Sequence, residues 1–80
     1  MPYIHPDRRK VLHVGEIPNT AGELNYMFTR LCKMYLDKKK RSYQHFNDCM
    51  GALEGCKLEL YRRQVVEYEE KKRAENGDVW

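Results

Sequence analysis

Every proline of the chain lies in its first eighteen residues, at Pro2, Pro6 and Pro18, and none occurs from Asn19 to Trp80. Proline removes a helix hydrogen bond and clashes with the preceding turn, so its absence leaves the remainder free to run as long helices. The apolar residues there recur at helical spacing. Leu24, Met27, Phe28, Leu31, Cys32 and Tyr35 fall at i, i+3, i+4, i+7, i+8 and i+11, one wide stripe. Ahead of it, Thr20-Ala21-Gly22-Glu23 is a capping box, with Thr20 bonding forward to the backbone and Glu23 reaching back. This predicts a helix over 20–37, ended by the mutually repelling charges of Lys38-Lys39-Lys40-Arg41 in a basic loop over 38–42.

Ser42 is a suitable N-cap for a second, longer helix over 43–75, and Asn76-Gly77 opens a tail over 76–80. Phe46, Cys49, Met50, Leu53, Cys56, Leu60, Tyr61, Val65 and Tyr68 mark its apolar side. At 1.5 Å per residue this helix spans about 50 Å and its predecessor only about 26 Å, so an antiparallel hairpin leaves the distal half of the longer one uncovered. Leu58, Leu60, Tyr61, Val65 and Tyr68 lie on that half and are the expected interface with another copy of the chain. Gly51 and Gly55, four apart, suggest a close helix crossing, with either the first helix or another subunit. The proline-containing segment 1–19 carries a short helix from Pro6 to Val14, stopped by Gly15. The expected fold is all-α: a short N-terminal helix, then a helical hairpin with a long C-terminal helix, assembled as a helical-bundle oligomer.

Eighty residues make a single domain whose own core is marginal. Apolar runs stop at three residues, as in Tyr26-Met27-Phe28, which excludes a membrane span and a signal-peptide core. Cys32, Cys49 and Cys56 cannot all pair within one chain, and Cys49 and Cys56, two helical turns apart, cannot bridge each other on one helix. Reduced thiols and a cytoplasmic location are expected. His45 and Cys49 at i,i+4, with Cys32 or Cys56, would be a minimal zinc set. No Cys-x-x-Cys supports it, and no metal or cofactor is expected.

The same residues offer little to catalysis. No Ser or Cys has a recognisable His and acid set, and His5, His13 and His45 follow no motif spacing. A MazG-like nucleotide hydrolase would need paired acidic motifs on facing helices, and Glu67-x-x-Glu70 stands alone beside Lys71 and Lys72. The chain is therefore read as a non-enzyme. Fifteen Lys and Arg against twelve Asp and Glu give a net charge of +3, short of a dedicated nucleic-acid binder. Duplex reading by a helix-turn-helix needs a short second helix, which this chain lacks. A small phosphorylated or cyclic nucleotide fits better. The helix start at Thr20 offers free N–H groups, Arg8-Arg9-Lys10 offers cations, and Tyr3, His5 and Tyr26 offer rings for stacking. The competing structural reading makes Glu23 the internal cap of that helix start, and the cations and rings a solvated surface and a core rim.

Two resemblances bear on function. The opening Met-Pro-Tyr-Ile, the Gly22-Glu23-Leu24-Asn25-Tyr26 box, the stretch from Leu53 to Arg63 and the closing Glu75-Asn76-Gly77-Asp78-Val79 resemble a family of short uncharacterised phage and bacterial proteins. Over about half the chain, Glu23-Leu24-x-Tyr26-x4-Leu31-Cys32 and the helix from Ser42 toward Arg63 resemble the helical hairpin of phage anti-CBASS proteins. Those are small helical oligomers that sequester cyclic oligonucleotide signals between protomers without catalysis. That resemblance implies a sponge for a cyclic oligonucleotide or ADP-ribose-type signal. The alternative is a helical module that inhibits or adapts a host protein.

Overall fold

The computed structural model describes residues 3–80. Met1 and Pro2, which open one of the resemblances, lie outside the described residues. Among those described, every regular element is helical: α1 (Pro6–His13), α2 (Ala21–Lys38), α3 (Tyr43–Leu60), a π-helical turn (Tyr61–Val65) and α4 (Val66–Asn76). Leu60, Val65 and Val66 all keep right-handed helical dihedrals, so α3, the π-turn and α4 follow one another without a break, making three helices in all. None of them is long and apolar enough to cross a membrane. The chain divides into two compact units, Met1–Cys49 and Met50–Trp80.

In the first unit, local chemistry sets each helix end. Pro6 occupies the first turn of α1, the His5 ring nitrogen accepts the Asp7 N–H at 3.1 Å, and Asp7 sits at the positive end of the dipole. Gly15, at φ 103°, closes α1 with paired backbone bonds: its own N–H to the Leu12 carbonyl and that of Glu16 to Val11, each 3.1 Å. The Thr20 hydroxyl accepts the Glu23 N–H at 3.1 Å and caps α2. Ser42 does the same for α3, accepting the His45 N–H at 3.3 Å.

The α2 stripe is less covered than its periodicity suggests. Leu12 of α1, 1% exposed, is the one fully buried hydrophobic residue among those described. Leu24, Phe28, Leu31, Met34 and Tyr35 remain exposed, while Met27 and Cys32 are half-buried. An eight-residue α1 is too short to cover an eighteen-residue α2. The far end of α2 is tied to the first turns of α3 mainly by polar contacts: the Tyr35 hydroxyl donates to Asp48 at 2.8 Å, and the Cys49 thiol lies 3.9 Å from the Cys32 carbonyl.

In the second unit every residue is exposed except the half-buried Val65. A methyl added at Gly51 or Gly55 would meet nothing within 4 Å. Nothing among the described residues thus makes the close approach expected at these glycines. Gly77 ends α4 at φ 88° and ψ 163°, a positive-φ conformation that glycine adopts without strain, with its N–H bonded to the Arg73 carbonyl at 2.8 Å.

Candidate functional site

Side chains from both helices converge where α1 docks on the start of α2. Glu23, buried although charged, accepts a two-pronged pair from Arg8, Nε at 2.8 Å and Nη2 at 2.7 Å. Its Oε1 also accepts the Asn19 N–H at 2.9 Å. The capping box thus closes with Glu23 reaching back to the Asn19 N–H, one residue before the Thr20 cap. The Arg8 hydrogen bond, then the Asn19 N–H, pull the Glu23 carboxyl down to about 2. The same contact pushes the Arg8 guanidinium upward.

Beside this pair lies an aromatic and cationic layer. The His13 and Tyr26 rings stack with centroids 5.7 Å apart and 14° between planes, and His13 Nε2 hydrogen-bonds the Tyr26 hydroxyl. The Arg9 guanidinium stands 5.7 Å over the Tyr26 ring while its Nε donates to the Ile4 carbonyl at 3.1 Å. Of these three residues His13 is exposed, and Arg9 and Tyr26 are half-buried.

The seven candidate ligand residues therefore separate. Arg8 and Thr20 belong to the Glu23 network, and Arg9 and Tyr26 to the stacked layer. His5 caps α1, and Tyr3 and Lys10 are exposed without joining either group. His13 was not among the candidates, although its position four residues after Arg9 puts the two on one face of α1. The basic loop is partly neutralised: Arg41 pairs with Asp37 at 2.5 Å, Lys33 pairs with it at 2.8 Å, and Lys39 lies over Tyr35 at 5.7 Å. These two cations hold the Asp37 carboxyl below its usual range, Lys33 foremost.

Among the described residues, no three His, Cys, Asp or Glu side chains gather as a metal set. Cys32 and Cys49 are half-buried neighbours, Cys56 is exposed, and burial pushes the Cys32 thiol up, away from the thiolate a reactive cysteine needs. Most acids of the second unit, Glu67 and Glu69 apart, pair with neighbours along the chain. Glu59 pairs with Arg62 and Arg63, Glu70 with Arg73 at 2.5 Å, and Lys72 with Glu75 at 3.3 Å. The interface candidates Leu58, Leu60, Tyr61 and Tyr68 are all exposed there, and Val65 is half-exposed.

Residues 1–79 match the Domain of unknown function (DUF6899), and the chain belongs to that family. No curated protein and no solved structure matches it.

Proposed function

From membership of a family without an assigned activity, we propose that the chain is a non-enzymatic helical binding module whose working form is an assembly of its own copies. One observation supports this reading above the rest: among the described residues Leu12 alone is a fully buried hydrophobic side chain, while large apolar side chains from Leu24 to Tyr68 stand in water. A small domain with so little core gains most by covering that surface with another chain, and exposed apolar patches of this extent mark interaction sites. Such a module would inhibit or adapt a host protein. Its three unpaired cysteines suit the cytoplasm. Solution mass across a range of concentrations tests the assembly. Leu60→Asp and Val65→Asp are expected to reduce the mass to that of one chain, and a wild-type monomer at every concentration would overturn the reading.

A second reading has its own observation. The His13–Tyr26 stack with Arg9 above it has the ring and cation chemistry of a nucleobase platform. Together with the resemblance to anti-CBASS hairpins, it supports a phage-type anti-defence sponge holding a cyclic oligonucleotide or ADP-ribose-type signal in clefts between subunits. Thermal stability with and without cyclic di- and trinucleotides and ADP-ribose tests it. A shift of several degrees with one class, lost in Tyr26→Ala, supports the sponge. No shift with any class leaves protein binding as the function.

A further inference from the structure

The apolar stripe of the second unit is kept on one face by an irregularity of the helix. Met50, Leu53, Lys57 and Leu60 are spaced three, four and three residues apart, the alternation of a helix that packs along one seam. The next apolar residue in line, Val65, comes five residues after Leu60, and Tyr68 and Lys72 follow at three and four. In a regular α-helix a five-residue step turns roughly 140° round the axis, so Val65 and Tyr68 would leave the stripe. Tyr61–Val65 is wound as a π-turn, with the Val66 N–H bonded to the Tyr61 carbonyl five residues back. Such a turn absorbs one extra residue, and the five-residue step then behaves as an ordinary four-residue one. Lys72 stands 5.6 Å over the Tyr68 ring, as two neighbours on the same face. A helix in water has no use for a continuous seam, whereas a straight partner does.

Building on the assembly reading above, we infer that this seam pairs with the same seam of a second copy, antiparallel about Leu60. Two features of the sequence select that occupant. The spacing is nearly palindromic: with Leu60 opposite its own counterpart, Lys57 falls opposite Val65, Leu53 opposite Tyr68 and Met50 opposite Lys72. A two-fold interface requires that kind of self-complementarity. Charge selects the direction. Parallel copies would set Lys57 against Lys57 and Lys72 against Lys72, whereas the antiparallel pair lays each ammonium stem against an apolar side chain and leaves its head free to reach water. The seam from Met50 to Lys72 is about 33 Å long, enough for a coiled-coil-like contact. Tyr61 flanks Leu60 in this arrangement, and Leu58 lies outside the seam.

Cross-linking and helix-length variants of the full chain test the pairing, in a background with Cys32→Ala, Cys49→Ala and Cys56→Ala whose helicity matches wild type. Leu60→Cys is expected to form a covalent dimer under mild oxidation and Met50→Cys is not. Covalent dimers from Met50→Cys, or none from Leu60→Cys in a chain that still dimerises, would overturn the antiparallel register while leaving self-assembly standing. A monomer throughout would overturn both. Deleting Gln64 removes the extra residue, so the stripe survives in a regular helix and dimer mass is retained. Deleting Arg63 and Gln64 together swings Val65 and Tyr68 off the seam and is expected to weaken association by about a hundredfold at equal helicity. Loss of the dimer on deleting Gln64 alone would overturn the role given to the π-turn.

Discussion

The unit Met1–Cys49 and the unit Met50–Trp80 are both built from helices and held in different ways. In the first, α1 folds back on α2 and brings together residues distant in the chain, Arg8 with Glu23 and His13 with Tyr26, and Leu12 is buried. In the second, the side-chain ion pairs join residues three to five positions apart, and the apolar side chains face outward. The first unit is tied together by contacts of its own, although much of the α2 stripe stays exposed. The second leaves its apolar side chains in water, and local ion pairs at a water-exposed helix surface contribute little to its stability.

That contrast predicts an uneven response to the same truncation. Leu12→Ala removes the one fully buried apolar side chain among the described residues and is expected to cost about 2–4 kcal/mol. Leu58→Ala, exposed and outside the proposed seam, is expected to cost under about 0.5 kcal/mol. Urea unfolding at one protein concentration compares them. Equal losses would mean that the second unit carries a core of its own, and the distinction between the two regions would fall.

A smaller effect comes from the Arg8–Glu23 pair. Glu23 titrates near 2 in the folded chain against an ordinary value of 4.5, with the Arg8 hydrogen bond as the largest cause. A depressed carboxylate contributes its full stability above its ordinary pKa. That contribution fades as pH falls from about 4.5 toward 2 and is gone below the folded value. The melting temperature of the wild type is therefore expected to fall through that window, and Glu23→Gln to start lower at neutral pH with a shallower fall. Parallel profiles for the two proteins would assign the acid sensitivity to the exposed Asp37 and the half-buried Asp48, whose carboxyls are also held below their usual range.

How much of this was legible in the sequence follows the distance over which each feature is decided. The caps at Thr20, Ser42, Gly15 and Gly77 are settled within a few residues and can be read directly. The apolar stripe of α2 is equally readable as a face. Periodicity does not say what covers it, however, and α1 proves too short to do so. Glu23 reads as a cap, but its Arg8 partner lies 15 residues away and depends on how α1 docks. His13 was missed for the same reason, since only docking brings it onto Tyr26. The π-turn left one trace in the sequence, the five-residue step from Leu60 to Val65, which has meaning only once the rest of the stripe is seen to continue past it.

The smallest expected effect is at Gly55, where the sequence and the structure lead to opposite outcomes. A glycine four residues from Gly51 in a long helix suggests a crossing so close that any side chain would overfill it, and Gly55→Ala would then destabilise the chain. In the structure a methyl there meets nothing within 4 Å, and the seam from Met50 to Lys72 runs along another face of the helix. Without a close neighbour, what remains is the helix-forming cost of glycine, about 0.5–1 kcal/mol relative to alanine. Gly55→Ala is therefore expected to raise the melting temperature slightly and leave the solution mass unchanged. A lower melting temperature together with a smaller mass would place a second chain against Gly55. The interface would then move from the Leu60 seam to the glycine face of the same helix.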